Sequence, residues 1–332
     1  MVLQNNLNMG TGAVSLGTSA GTTRTITTLG LFGVLTEGGV ISDGTTAKGI
    51  AKSGPGALLL TGANTFSGGI TFNAGTLALG NAAALGNGPL TINGGYLATN
   101  GATLTLTTNN TQAWNGDFAV SGSTLNYGPA ALTFGNGAIT LGGNRTVLDS
   151  GSTLTLPGAI GDGGNGYGIT WVAGLYQNFG TSVPMISLNG ASTYSGATVI
   201  QSRNNGVGSV SMGGTLANTS SVTVNGGGSF TFGNGANNPI NPNATLTLGG
   251  NGGGYFGFNS GGGTKTQSFT SLTVGSGADG LGGYYSGNSF IFTGSNPYLR
   301  SVGGVVRMNA LTGNSAFTSL SLIHISEPTR PY

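Results

Sequence analysis

The amino-acid sequence predicts an all-β protein, specifically a right-handed parallel β-helix (a β-solenoid) in which short strands stack coil upon coil. Three observations predict this fold. Glycine accounts for 68 of the 332 residues while only 5% are charged, apolar residues alternate with Thr in short runs, and two sequence phrases recur along the chain. Gly and Asn tolerate the positive φ that tight turns require, so this composition is typical of short strands joined by turns.

The composition also excludes several other classes of protein. Disordered segments combine low hydrophobicity with high net charge, whereas this chain is 37% hydrophobic and carries a net charge of +2. Its glycines follow no every-third-residue period, which excludes collagen. The weak positive balance offers no basic stripe, so we expect no nucleic-acid partner. Cys is absent, which excludes disulfides and thiolate metal sites.

Alternation of apolar residues with Thr predicts the individual strands, because successive side chains of a strand point to opposite faces. The alternating runs occupy residues 90–92, 104–106, 154–156, 222–224, 230–232, 246–248 and 272–274. A strand begins roughly every seven to ten residues, which is typical of an all-β sandwich, a barrel or a solenoid. In each run we expect the apolar side chains to face the core and Thr to face solvent.

Repetition favours the solenoid among these three architectures. Residues 62–68 (GANTFSG) return as residues 190–196 (GASTYSG), and a strand followed by Asn-Gly-Gly and a second strand occurs at residues 91–97 and 223–230. In a solenoid each coil buries its apolar face only by stacking on its neighbours. Repeats of roughly 20 to 25 residues give on the order of 14 coils, and a rod of ~65 to 70 Å at the spacing between paired strands.

One segment, residues 161–185, is less regular than the rest and contains Trp171, Tyr176 and Phe179 among several glycines. It reads either as a loop that projects from the rod or as a coil with an aromatic core. Apolar and small residues still alternate there, so we favour the coil.

The two ends of the chain carry different signals. Residues 1–30 show neither a signal peptide nor a long apolar run, and no stretch elsewhere is long enough to span a bilayer as a helix. We therefore expect a fragment of a longer protein, with residues 1–322 forming one repeat region. Residues 323–332 (IHISEPTRPY) hold the only His, His324, and no Gly. They resemble translated sequencing-adapter read-through, so we predict a non-native tail, a genuine C-terminal tail being the alternative.

Residues 53–97 (SGPGALLLTGANTFSGGITFNAGTLALGNAAALGNGPLTINGGYL) resemble the passenger-associated transport repeat, also called the autotransporter-associated β-strand repeat. Residues 60–69 and 73–77 match the family pattern directly. A degenerate second copy covers residues 188–232 and departs from the pattern after Gly196, where Gln201-Ser202-Arg203 replaces the Asn-Ala-Gly phrase.

This resemblance implies a passenger segment that crosses the outer membrane of a Gram-negative-type bacterium and folds outside as a β-helix. The repeat is expected to support folding and export, and the location to be the cell surface or the extracellular space. The outer-membrane translocation barrel that such a passenger uses is expected to lie outside this chain.

A search for catalytic residues finds little. Hydrolysis of glycosides requires two carboxylates roughly 5 to 9.5 Å apart, and no two carboxylates of this chain are adjacent or separated by one residue. Asp149 and Asp162 lie 13 positions apart, which is shorter than a coil. We therefore expect the carboxylates of this chain to be turn residues that bond their own backbone. Ser67 and Ser195 have no trusted His as a base. The full set of carboxylates is Glu37, Asp43, Asp117, Asp149, Asp162, Asp279 and Glu327.

Binding motifs are equally sparse. Residues 274–282 (VGSGADGLG) resemble one calcium-binding nonapeptide around Asp279, but such sites need tandem copies, so we expect a glycine-rich turn. The Gly-rich residues 249–257 lack the Lys-Ser/Thr of a phosphate loop. Pairs of the form Thr-x-Thr could build ice-binding ladders, yet outward Thr is what any β-helix needs. These pairs are Thr103/Thr105, Thr153/Thr155 and Thr245/Thr247.

The sequence thus favours a structural or adhesive surface rod over an enzyme, and we assign no catalytic, cofactor-binding or metal residue. Host or environmental surfaces and glycans are the partners that such a rod would meet. The alternative is a polysaccharide-binding or polysaccharide-degrading β-helix. Degradation would require Asp117, Asp149 and Asp162 in one groove, and binding would require exposed aromatic rings, whereas stacking in the core explains those rings equally well. The rings are Tyr255, Phe256, Tyr284 and Tyr285.

Overall fold

The chain folds into a column of stacked parallel strands. A computed structural model describes residues 6–19, 22–30, 33–122, 130–174, 185–203, 208–233, 236–250, 253–258, 265–283, 288–295, 298–300 and 304–310. These residues form 35 strands and no helix, and accordingly none of them belongs to a helix that could cross a membrane. The predicted all-β, parallel β-solenoid is confirmed.

The strands are short and follow one another at turn-length intervals. The first twelve are β1 (Leu7–Asn8), β2 (Val14–Ser15), β3 (Thr23–Thr27), β4 (Val34–Glu37), β5 (Ile41–Ser42), β6 (Gly49–Ser53), β7 (Ala57–Leu60), β8 (Ile70–Phe72), β9 (Thr76–Leu79), β10 (Leu90–Ile92), β11 (Gly95–Thr99) and β12 (Leu104–Thr105). The next twelve are β13 (Gln112–Trp114), β14 (Phe118–Ser121), β15 (Ala131–Thr133), β16 (Ile139–Leu141), β17 (Arg145–Asp149), β18 (Thr153–Leu156), β19 (Ile160–Gly161), β20 (Ile169–Ala173), β21 (Met185–Leu188), β22 (Ala191–Ser192), β23 (Thr198–Ser202) and β24 (Gly208–Met212). The last eleven are β25 (Thr215–Leu216), β26 (Ser221–Asn225), β27 (Gly228–Phe232), β28 (Thr245–Gly249), β29 (Gly254–Phe258), β30 (Thr266–Phe269), β31 (Ser271–Val274), β32 (Gly277–Gly283), β33 (Ser289–Phe292), β34 (Tyr298–Arg300) and β35 (Gly304–Ala310).

Three sheets run along the column. Sheet 1 has 13 strands in the order β1-β4-β7-β9-β11-β14-β17-β20-β23-β26-β28-β31-β34 and extends along the whole described column. Sheet 2 has seven strands, from β3 to β19, and sheet 3 has nine, from β12 to β35. The pairs β2-β5, β22-β25 and β30-β33 form smaller sheets. Each strand of sheet 1 starts a new coil, and at the ~4.8 Å spacing of paired strands the column is about 60 Å long.

Alternation along each strand places one set of side chains in the core. One inward row of sheet 1 runs through seven successive strands, and six of its residues are less than 5% exposed. Burial of such side chains is worth roughly 1.5–3 kcal/mol each, so stacking of coils is what stabilises the chain. The row consists of Phe118, Val147, Trp171, Ile200, Val224, Leu248 and Val274.

Aromatic rings fill the core in two places. Trp114 contacts Phe118 and Trp171, with ring centroids 4.9 and 6.2 Å apart. Because Trp171 is fully buried in β20, this part of residues 161–185 forms a coil, as favoured, whereas Tyr176 and Phe179 lie outside the described residues. Further along, six phenylalanines pack ring to ring at centroid distances of 4.5–6.5 Å. They are Phe230, Phe232, Phe256, Phe258, Phe269 and Phe290.

Candidate functional site

The recurring phrase at residues 62–68 and 190–196 forms the same corner twice, at different positions around the coil. The first copy leads from β7 of sheet 1 to β8 of sheet 2. The second copy leads from β21 of sheet 3 to β23 of sheet 1. Since the neighbouring sheets differ, the contacts shared by the two corners come from the phrase and from the preceding coil. We refer to this arrangement as the repeat corner.

The third residue of each phrase supplies an inward polar group to the preceding coil. Asn64 Oδ1 accepts a hydrogen bond from the Ile41 N–H at 2.8 Å, and Asn64 Nδ2 donates to the Ala84 carbonyl at 2.7 Å. In the second copy, Ser192 Oγ accepts from the Ile160 N–H at 3.2 Å. Each side chain thus satisfies a buried backbone amide, which would otherwise cost about 1–3 kcal/mol.

The fifth residue of each phrase fills the core with an aromatic ring. Phe66 and Tyr194 are at most 1% exposed. The Tyr194 hydroxyl shares a 2.7 Å hydrogen bond with Thr198 Oγ1, which in turn lies 2.9 Å from Thr219 Oγ1. Burial raises the pKa of Tyr194 to about 12, so the ring stays neutral. The substitution of Phe by Tyr is accommodated by this buried chain of hydroxyls.

The sixth residue of each phrase is a serine that binds a carboxylate of the preceding coil. Ser67 donates to Asp43 Oδ2 from its N–H at 3.0 Å and from its Oγ at 2.6 Å. Ser195 donates to Asp162 Oδ2 from its N–H at 3.2 Å and from its Oγ at 2.7 Å. The two aspartates precede their serines by 24 and 33 residues. We call these pairs the Asp–Ser clasps.

Each aspartate also closes the turn in which it lies. Asp43 Oδ1 accepts from the Lys48 N–H at 2.7 Å. Asp162 accepts from the N–H groups of Gly164, Gly166 and Tyr167 at 2.8–3.1 Å. One carboxylate therefore fixes its own turn and holds the next coil. The expectation that Asp162 bonds its own backbone is confirmed, and the bond to the next coil was missed.

The carboxylates of both clasps stay ionised because of the hydrogen bonds that they accept. Burial raises the pKa of Asp162, but hydrogen bonds from Ser195, Gly164 and Gly166 outweigh burial and lower it to about 2. The pKa of Asp43 is also lower than usual, because hydrogen bonds from Ser67 and from the Lys48 N–H outweigh the effect of burial. Hydrogen bonds to an ionised acceptor are about twice as strong as neutral ones. A general base that works near neutral pH needs a pKa near 7, so Asp162 is poorly suited to activate Ser195.

Glycine at the first position of each phrase allows the coils to approach closely. A Cβ on Gly62 would lie 1.9 Å from the Gly39 carbonyl oxygen, and one on Gly190 would lie 2.2 Å from that of Gly158. No side chain fits at these distances, so the corner requires glycine there.

The two aspartates that bind these serines share a short sequence motif. The clasp aspartates end the triplets Ile41-Ser42-Asp43 and Ile160-Gly161-Asp162. In each triplet the Ile amide binds the third residue of the phrase and the Asp binds the sixth. The repeat corner is thus a two-part unit of Ile-x-Asp on one coil and the Gly-Ala-x-Thr-aromatic-Ser-Gly phrase on the next.

Among the described residues, the carboxylates of Asp149 and Asp117 bind separate partners. Asp149 faces the core, where Oδ1 accepts from the N–H and Oγ of Ser152 at 2.9 and 2.7 Å, so its predicted turn role is confirmed. Burial raises the pKa of Asp149 to about 7. Asp117 accepts from the Thr146 N–H of the next coil at 2.8 Å, so the prediction that it bonds its own turn is wrong. Among the described residues, no three His, Asp or Glu side chains form a possible metal site.

The predicted turn around Asp279 is also wrong. Residues 277–283 form strand β32, which pairs with β29 and β35. Asp279 Oδ1 accepts from the Gly254 N–H at 2.8 Å, and burial raises the pKa of Asp279. A Cβ on Gly280 would lie 2.7 Å from the Tyr255 ring, so glycine in this strand makes room for the tyrosine of the preceding coil.

The other proposed ligand-binding residues divide between core and surface. Phe256 belongs to the buried phenylalanine cluster, which supports the core interpretation of that ring. Thr247 lies on the outer face of sheet 1, in register with Thr223 and Thr273. Besides Tyr176 and Phe179, four further residues singled out from the sequence lie outside the described residues. They are Tyr284, Tyr285, His324 and Glu327.

Comparison with known proteins shows that both repeat corners match the same family model. The family described as passenger-associated-transport-repeat matches residues 50–79 and 187–202. These matches begin close to the predicted copies at 53–97 and 188–232 and end earlier than predicted. They contain Ser67 and Ser195 but not the aspartates that bind them. Among curated proteins and among solved structures, none matches this chain.

Proposed function

Because the chain carries two passenger-associated transport repeats on a β-helix, we propose that it is a structural passenger segment of an autotransporter-type protein, displayed on the surface of a Gram-negative-type bacterium. The observation that carries this proposal is the repeat corner, which joins one coil to the next through the same four interactions in both copies. A translocation domain elsewhere in the protein would export the segment, which acts as a rigid, weakly charged rod and possesses no catalytic role of its own.

The repeat corner would support folding after export. A newly exposed coil offers a strand edge and an apolar face that only the next coil can cover, and folding of a solenoid propagates between neighbours. The clasp, the buried amide contact and the aromatic ring together fix the position of the incoming coil. A folded rod that grows coil by coil would retain the exported chain outside the membrane.

The observed positions of the carboxylates argue for a structural role over polysaccharide degradation. Asp149 faces the core and Asp162 is engaged in a clasp, so neither is available on an outer groove. Asp117 is exposed and is paired with Arg145 rather than with a second carboxylate.

Surface display tests the proposal. The chain would be expressed between a signal peptide and an autotransporter barrel in a Gram-negative host, and surface protein would be measured with antibody on intact cells. We expect display of a protease-resistant rod, and at least a threefold reduction when Asp43→Asn and Asp162→Asn are combined.

Glu37→Gln is the matched control, because among the described residues this carboxylate bonds only within its own turn, to the Gly39 N–H. Retention of the wild-type chain in the periplasm would contradict the proposed export. Unchanged display and protease resistance of the double variant would contradict the role given to the clasps.

A further inference from the structure

An open groove of about 420 Å³ crosses the outer face of sheet 1 at strands β17, β20 and β23. Its lining includes two small residues, Gly168 and Ala197, which directly precede the paired strands β20 and β23. Polar side chains border one end, namely Asp117, Asn144 and Arg145. A cavity of this size with a few convergent polar groups is typical of a site for a small organic ligand or for a few units of a polymer.

The polar side chains at this end are held by the sheet and still present free atoms. Asp117 Oδ1 accepts from the Thr146 N–H at 2.8 Å, and Asn144 Oδ1 accepts from the Gly168 N–H at 2.8 Å. Asp117 Oδ2 and Asn144 Nδ2 make no hydrogen bond with any described residue. Each group is therefore oriented through one atom and offers the other to a ligand, which reduces the entropy lost on binding.

Arg145 adds hydrogen-bond donors beside the carboxylate. Its Nη1 lies 3.7 Å from Asp117 Oδ1, an ion pair longer than a hydrogen bond. The guanidinium carries five N–H donors, and within the described part of the chain it makes no hydrogen bond. The adjacent opposite charges leave the groove close to neutral, while acceptor and donors stand next to each other.

An apolar row borders the polar groups on the same face. Tyr96, Ala119, Leu148 and Val172 are neighbours on four successive strands of sheet 1. Tyr96 is 46% exposed and lies beside the small Ala119. Tyr96 lies on β11 opposite Ala119 of β14, and Ala119 follows Asp117 by two residues. The backbones of Tyr96 and Asp117 are therefore about 8 Å apart. An exposed aromatic residue thus lies on the strand next to Asp117, at the polar end of the groove.

We infer that this groove binds a neutral oligosaccharide. Sugar rings combine apolar C–H faces, which pack on an aromatic ring, with neighbouring hydroxyls that both donate and accept. A carboxylate oxygen, an amide N–H and a guanidinium supply complementary partners for such hydroxyls. An acidic sugar is disfavoured, because the carboxylate of Asp117 is 60% exposed whereas the side chain of Arg145 is only 16% exposed, so a ligand meets the carboxylate first.

Calorimetric titration of the full chain with cellohexaose, mannohexaose and xylohexaose tests the inference, with hexagalacturonate as the acidic comparison. We expect at least one neutral hexasaccharide to bind with a dissociation constant in the millimolar range or below. Asp117→Ala and Tyr96→Ala should each weaken that binding at least tenfold. Asp117→Asn, which keeps the Oδ1 acceptor for Thr146, should weaken it less.

Thr273→Ala is the control, since it alters the outer face of the same sheet five strands away from β17. Circular dichroism of each variant would verify that the fold is intact. Absence of binding by all three neutral sugars, tighter binding of hexagalacturonate, or unchanged affinity of folded Asp117 and Tyr96 variants would overturn the inference. None of these outcomes depends on whether the chain is exported.

Discussion

Asp43 and Asp162 show how single side chains join neighbouring coils of this column. Each accepts hydrogen bonds from its own turn and from the serine one coil later. A surface ion pair contributes little to stability, whereas a carboxylate with several N–H and O–H donors gains roughly 1.5–3 kcal/mol from each such bond. Hydrogen bonding to the anion therefore contributes most at the repeat corner, and at Asp43 the charge of Lys48 adds to it.

Replacement of Asp162 by Asn should lower the stability of the folded chain by about 1–3 kcal/mol, because the charge that strengthens the bonds to Ser195 is lost. The urea concentration at half-unfolding measures the effect. The wild-type contribution should be complete above the unfolded pKa of 3.8 and should be lost as the pH falls towards the folded value of about 2. Asp117→Asn, an exposed carboxylate, serves as the control and should change the midpoint little; an equal loss in both variants would contradict the clasp.

Asp149 should have the opposite pH dependence. Burial raises its folded pKa to about 7, so the folded state holds its proton more tightly than the unfolded state does. Its contribution should be greatest below pH 3.8 and should be lost as the pH rises through 7. Asp149→Asn removes the titration, so the variant should unfold at a higher temperature than the wild type at pH 8 and at a similar temperature at pH 4. A difference of the same size at both pH values would show that Asp149 does not titrate in this range.

At the scale of strands and turns, alternation of apolar residues with Thr predicted strands reliably, whereas a high glycine content did not predict turns reliably. All seven alternating runs of apolar residues and Thr lie within or overlap strands, for example residues 90–92 in β10 and 246–248 in β28. The Gly-rich strand β32 was predicted as a turn, because its extended form comes from pairing with β29 and β35 and from the Tyr255 ring above Gly280. Such contacts connect residues about 25 apart, so no local pattern reveals them.

The repeat corner was only partly predictable from the sequence. The sequence placed Ser67 and Ser195 in the recurring phrase and gave them no trusted base, but it did not indicate that the phrase forms a corner. Their carboxylate partners were missed because the separations of 24 and 33 residues differ between the two copies. Only the stacking of coils, whose lengths vary with the intervening turns, brings each aspartate to its serine.

The first glycine of the phrase determines whether the corner can form. Gly190→Ala should destabilise the chain severely, by 3 kcal/mol or more, since the new Cβ would lie 2.2 Å from the Gly158 oxygen and the coils would have to separate. Thermal unfolding followed by circular dichroism measures the loss. Gly12→Ala is the matched control, because no atom lies within 4 Å of its Cβ position. Equal stability of the two variants would mean that the close approach of coils at Gly190 is not required.

At the scale of the whole column, we expect each coil to be stabilised by the coils next to it, and not by one cooperative unit that includes all coils. Phe256→Ala should cost roughly 3–5 kcal/mol, because the ring is fully buried against Phe230, Phe232 and Phe269. In a solenoid each coil contacts only adjacent coils, so the loss should stay local. Hydrogen exchange should therefore accelerate in residues 228–283 and remain slow in residues 50–99. Uniform acceleration along the chain would indicate one cooperative unit instead.

Sheet 1 continues through all 13 of its strands, whereas sheets 2 and 3 each cover only part of the column. The hydrogen-bonded ladder of sheet 1 therefore serves as a spine that does not depend on an intact polypeptide. A protease that cuts a connection on the opposite side severs the covalent chain but leaves both pieces joined by adjacent strands of this spine. Fragments produced by such nicking should stay associated in native buffer and separate only in denaturant, so that a cleaved rod keeps the length and the surface of an uncut one.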